Sequence, residues 1–166
     1  MWFEAGTEIA LSFSFCEATL FPGIRKARMK KNEPISKVMS TSPISVHEGD
    51  PVSKVKQIIE DQGIHQVPVV SGSDLIGIIS WSDLLRVSFG EFGNQDGRQL
   101  DALLDHNYTV TGLMSANPVS VSVHGTVRDA ARALGEGNFH ALPVVDGKKL
   151  VGIVTSTDLI RFLAEL

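Results

Sequence analysis

From residue 43 onward the hydrophobic positions change period several times, and each change marks an element. "PISV" at 43–46 begins with a proline and ends in β-branched residues, which predicts a short strand. Val52, Val55, Ile58 and Ile59 then recur at helical spacing, with Asp50 and Pro51 as a start signal and Gly63 as a stop. "QVPVV" and "LIGII" are dense apolar runs on either side of the turn "SGSD", the pattern of a hairpin of buried strands. "SDLLRVSF" closes the series as a second helix.

The series then repeats. A shift of 75 positions superimposes Met39 on Met114, Pro43 on Pro118, His65 on His140, Pro68 on Pro143, Gly77 on Gly152, Asp83 on Asp158 and Arg86 on Arg161 without a gap. The second copy has "PVSV" for the strand, and Val127, Ala130, Ala133 and Leu134 for the helix stripe. "ALPVVD" and "LVGIV" around "DGKK" form its hairpin, and "TDLIRFLAEL" its closing helix. The expected architecture is α/β of the α+β type: two pseudo-symmetric strand-helix-strand-strand-helix repeats packed face to face, because neither small sheet can bury its apolar face alone. The expected division is an N-terminal extension at 1–34, a first repeat at 35–90, a linker with a short amphipathic helix "RQLDALLDH" at 91–109, and a second repeat at 110–166. Residues 1–28 carry Glu4, Glu8 and Glu17 among apolar residues and lack the cationic start of a signal peptide; they are expected to be dispensable for the core.

Composition narrows the classes. With 166 residues, 43% hydrophobic and 20% charged, the chain can bury a proper core. A formal charge of −4 gives no basic surface for nucleic acid or an anionic membrane, and Lys30, Lys31 and Lys37 read as a solvated face. No apolar run is long enough to span a bilayer. The single cysteine, Cys16, excludes an intramolecular disulfide and a thiolate zinc site, which points to a reducing, cytoplasmic setting. None of the five histidines has metal-ligand spacing, and no nucleophile has a matching base, so the reading is not that of an enzyme and no cofactor is required.

The chemistry to be weighed lies at the two closing-helix starts. Ser80 precedes Asp83, and Thr155 precedes Asp158, by three residues after a strand, which is the spacing of a capping box. The same helix start can also present its N–H groups and hydroxyl to a phosphate, and an ionised carboxylate suits two ribose hydroxyls. The spacing suits capping alone and capping with binding equally.

"VMSTSPISV…GIHQVPVV…LIGIISWSDLL" and "LMSANPVSV…NFHALPVVDGKKLVGIVTSTDLI" together resemble two CBS domains, the module named after cystathionine beta-synthase, over residues 35 to 163. The resemblance implies a tandem pair, or Bateman module, that senses an adenosine-containing ligand and regulates a partner protein. It further implies that Asp158 and Asp83 hold ribose, with Thr155, Thr157 and Ser80 near a phosphate. Each cleft would be completed by the other repeat: Ser42, Pro43, Ile44, Ile64 and His65 facing Asp158, and Asn117, Pro118, Val119, Phe139 and His140 facing Asp83. The histidines could donate to an anion, or merely cap strand edges. Gln66 and Ala141 stand where nucleotide-sensing relatives can carry arginine, which favours AMP or another adenosyl compound such as S-adenosylmethionine over ATP. A structural or dimerisation module with vestigial clefts is the competing reading. The closing helices are rich enough in apolar residues to predict a homodimer, with Leu84, Val87, Leu159 and Phe162 as interface candidates.

Overall fold

The computed structural model describes residues 33–91 and 97–165. The N-terminal extension therefore lies outside the described residues, apart from its last two. After a 3-10 turn at Ile35–Lys37, the first repeat contains β1 (Ser40–Thr41), β2 (Val46–His47), α1 (Val52–Gln62), β3 (Gln66–Ser71), β4 (Asp74–Ser80) and α2 (Trp81–Glu91). Helix α3 (Gly97–Asn107) bridges to the second repeat, which contains α4 (Val110–Leu113), β5 (Ser115–Ala116), β6 (Val121–Ser122), α5 (Val127–Glu136), β7 (Ala141–Asp146), β8 (Lys149–Thr155) and α6 (Ser156–Ala164).

The predicted elements form for the reasons their pattern indicates. Val52, Val55 and Ile59 are the buried stripe of α1, and Gly63 ends it in the left-handed conformation at φ 62° that glycine adopts without steric cost. The hairpins β3–β4 and β7–β8 share even their irregularity, a register shift between Val69 and Val70 in one and between Val144 and Val145 in the other.

The sheet runs β2-β3-β4-β8-β7-β6, and the halves join at the Asp74–Lys149 pair. Leu75 donates to the Lys148 carbonyl at 2.9 Å and Leu150 to that of Ser73 at 3.0 Å, a reciprocal pair about a pseudo-twofold axis. Two strands absent from the hydrophobic pattern lace the halves together: β1 pairs with β8, and β5 with β4. Their residues are small and polar, so nothing in their sequence announces a strand. The crossing brings Met114 against Gly77 and Met39 against Gly152. A Cβ at Gly152 would lie 2.9 Å from the Met39 sulfur, which explains why the strands read "LIGII" and "LVGIV".

The core consequently ignores the sequence boundary. The first cluster contains Val46, Val55, Val67, Ile79 and Leu84 together with Leu104 from the linker helix and Val110 and Leu113 from the second repeat. The second contains Val127, Leu142, Val144 and Val154 together with Ile35 from the start of the chain's first repeat.

One expectation is corrected here. Leu84, Val87 and Leu159 are buried within the chain at 1%, 7% and 8% exposure, so they are core residues and not a surface awaiting a second copy; Phe162 packs partly buried on the second core. The exposed apolar residues of α6 are Ile160 and Leu163. Apolar positions three and four apart share one face, and that face is already taken by the sheet.

Candidate functional site

Asp158 sits at the third position of α6, and its Oδ2 accepts from the Thr155 backbone N–H at 2.9 Å and the Thr155 hydroxyl at 2.6 Å. The Asp158 N–H in turn donates to the Thr155 hydroxyl at 3.2 Å. Asp83 makes the same three bonds with Ser80, at 3.0, 2.5 and 3.3 Å. Both motifs are thus capping boxes in fact, and each uses one carboxylate oxygen. Among the described residues the other oxygen, Oδ1, has only a loose ion pair: Arg161 stands 3.8 Å from that of Asp158, and Arg86 stands 3.6 Å from that of Asp83. Both arginines are largely exposed, and pairs of this kind contribute little to stability. Each aspartate keeps acceptor capacity beyond its cap.

A cleft of about 950 Å³ opens over α6. Its walls bring Asp158, Thr155 and Thr157 of the second repeat together with Ser42, Pro43, Ile44, Ile64 and His65 of the first, the group expected for the Asp158 side. Ser80 and His140, expected on the Asp83 side, line this same cleft. Asp83, Asn117, Pro118, Val119 and Phe139 lie outside it. Among these, Val119 is 54% exposed and Phe139 packs against Gly137 and the second core.

Local backbone geometry places the cleft rim. Ser42 and Asn117, which precede prolines, adopt φ of 54° and 50°, a left-handed conformation that costs an ordinary side chain about 1–2 kcal/mol and is milder for asparagine. Their N–H groups bond across the repeats, Ser42 to the Val151 carbonyl at 3.4 Å and Asn117 to that of Ile76 at 3.1 Å. The strain is held in place by the exchanged strands just before it. The histidines are held by their carbonyls: Trp81 donates to His65 at 2.8 Å and Ser156 to His140 at 3.0 Å.

Of the lining residues that sequence reasoning misses, three carry chemistry of their own. Gln66 enters the sequence reading only as the absence of an arginine, yet its side-chain carbonyl oxygen is buried with no hydrogen-bond partner among the described residues, an acceptor that gains from an incoming donor. Trp81 and Ser82 were hidden inside the capping motif, although the helix start that presents Ser80 necessarily presents its neighbours too. Among the described residues, no group of three or more histidine, cysteine or acidic residues could hold a metal ion, and no helix is long and apolar enough to cross a membrane.

Two strand–helix repeats laced by exchanged strands, with a shared cleft at paired helix starts, define a class, and sequence comparison agrees. The family model described as the CBS domain matches residues 35–90 and 110–165, and the chain belongs to that family. A CBS domain-containing protein of Dictyostelium discoideum is 30% identical over 137 residues, covering 80% of this chain and 92% of that protein. The chain spans only 34% and 43% of the length of the related proteins MJ1404 and MJ1225 of Methanocaldococcus jannaschii. In structure it is similar to CBSX2 in complex with AMP, with a TM-score of 0.66 at 27% identity over 80% of this chain and 97% of that one. It is also similar to the CBS domain pair of protein MJ0100 in complex with 5′-methylthioadenosine and S-adenosyl-L-methionine, with a TM-score of 0.62 at 25% identity over 78% and 98% of the two chains.

Proposed function

We propose that the chain is a regulatory module that binds an adenosine-containing ligand in the Asp158 cleft and through it controls a partner protein. The observation that carries this reading is the second oxygen of Asp158, which the cap leaves unused in a cleft built from both repeats. The carboxylate accepts from ribose hydroxyls, while Thr157 and the start of α6 meet the 5′ substituent and His65 closes over it from the other repeat. Besides the histidines, Arg161 is the cationic side chain on the cleft wall, which suits AMP or another small adenosyl compound better than ATP. The similarity to CBS pairs complexed with AMP and with S-adenosyl-L-methionine supports this choice of ligand class.

Calorimetric titration of AMP, ATP and S-adenosylmethionine into the wild type and Asp158→Asn tests it. Loss of the charge-assisted bonds, worth about 1.5–3 kcal/mol, should weaken binding by roughly tenfold or more while the chain stays folded. Absence of binding to the wild type, or unchanged affinity in the variant, would leave the motif as a helix cap and favour the purely structural module. The homodimer belongs to the same reading, with Ile160 and Leu163 as the contact in place of the residues now known to be core. Sedimentation of Ile160→Glu with Leu163→Glu should show monomers where the wild type shows dimers.

A further inference from the structure

The position that opens the closing helix differs between the repeats in a way that bears on which adenosine compound fits. In the second repeat it is Ser156, whose hydroxyl turns to the His140 carbonyl at 3.4 Å. In the first repeat, 75 residues earlier, it is Trp81, whose N–H holds the His65 carbonyl at 2.8 Å. Trp81 packs partly buried on the first core and lines the cleft. It therefore stands beside His65, the residue that the adenosine reading sets over the 5′ substituent.

We propose that Trp81 is a specificity-determining residue that favours adenosine bearing sulfur on its 5′ carbon over adenosine 5′-phosphate. The inference rests on the adenosine reading given above. Apart from the histidines, the charged side chains on the cleft wall are Asp158 and Arg161, one of each sign, so the wall brings no cluster of cations to a phosphate. An indole has no acceptor or cation to offer, but its face attracts a sulfonium through the ring quadrupole and makes favourable contact with a neutral thioether. Toward a phosphate the indole has one N–H donor and no charge, so it offsets little of the cost of displacing that anion's tightly held water. Serine at the same position in the other repeat shows that the helix start does not itself require the bulky ring.

The test compares S-adenosylmethionine, 5′-methylthioadenosine and AMP by calorimetry in the wild type, Trp81→Ser and Trp81→Phe, each checked for folding by its melting curve. Trp81→Ser should weaken both sulfur ligands by about tenfold, equivalent to 1.4 kcal/mol, and change AMP by no more than about twofold. Trp81→Phe, which retains an aromatic face, should keep most of the preference and serves as the folded comparison if the serine variant melts early. In a Trp2→Phe background, which removes the other of the two tryptophans, the sulfur ligands should change the fluorescence of Trp81. Equal losses for all three ligands, or an unmoved ratio between them, would overturn the proposal. If AMP still binds and Asp158→Asn still weakens it, that result leaves the adenosine reading standing; if no adenosine ligand binds the wild type, both fall.

Discussion

In the second repeat, α5 begins at Thr126, whose hydroxyl and Asp129 carboxylate close a capping box of their own. In the first repeat the equivalent position, 75 residues earlier, is Pro51, which has no side chain to cap with. The missing acceptor comes from elsewhere: Asp105 of α3 accepts from the Ser53 N–H at 2.8 Å and from its hydroxyl at 2.7 Å. One repeat satisfies its helix start locally, and the other borrows a side chain more than fifty residues away. The borrowed cap comes with packing, since Leu104 on the same helix is fully buried in the first core, and Lys56 of α1 bonds Asp101 of α3 at 3.0 Å. A repeated sequence can thus diverge at one cap and still keep its fold, provided that a neighbouring element takes over the orphan donors.

The sharpest way to break this contrast is to empty the place that α3 fills. Leu104→Ala should cost about 2–5 kcal/mol in chemical denaturation, the range for a fully buried leucine. A loss below about 1 kcal/mol would mean that α3 merely lies on the first repeat. Removing the borrowed cap with Asp105→Ala should cost about 1 kcal/mol, and the double change Pro51→Thr with Lys54→Asp, which copies the box of α5, should recover most of it. No recovery would show that Asp105 acts through packing and not as a cap.

Two contacts of these helices, the Asp129 box of α5 and the Lys56–Asp101 pair between α1 and α3, respond to opposite ends of the pH scale. Hydrogen bonds from the Thr126 hydroxyl and then its backbone N–H hold Asp129 below the ordinary carboxylate range, against a smaller effect of desolvation and with help from Arg132 and Arg128. Its contribution is present above the unfolded value near 3.8 and is lost as pH falls through the lower folded value. Lys56 is moved the other way: burial opposes its charge, but the bond and attraction to Asp101, with Glu60, raise it overall. Its contribution is present below the unfolded value of 10.5 and is lost as pH rises through the folded one. Melting curves should therefore show the Asp129→Asn penalty shrinking in acid and holding in alkali, and the Lys56→Met penalty shrinking in alkali. The opposite assignment, or no pH dependence, would break the pairing.

The smallest expected effect separates the two strained rim residues. Ser42→Gly should relieve a left-handed cost of about 1–2 kcal/mol against an entropy cost of about 0.4–1, a net gain of about 0.5 kcal/mol in thermal melts. Asn117→Gly should gain less, because asparagine already tolerates that conformation.

What could be read from the chain followed from local, repeated signals. The offset of 75 residues, the two hairpins, the helix stripes and the hydroxyl–acid pairs each lie within one stretch of chain, where period and capping chemistry act over a few residues. So does the grouping of Asp158, Thr155 and Thr157, since one helix start carries all three. The placement of His65 and Ile64 beside them came through the resemblance to paired CBS domains, and the cleft shows the same grouping. Other features were settled only by the assembled chain. "ST" and "SA" become strands because the opposite repeat offers them a free edge, and the pairing is invisible in two small polar residues. Leu84 and Leu159 are buried because a sheet already occupies that face, although the sequence presents them no differently from surface leucines. The cap of α1 and the position of Trp81 on a cleft wall depend on which distant segment arrives beside them. Long-range contacts of that kind depend on the simultaneous packing of both repeats, which no local period encodes.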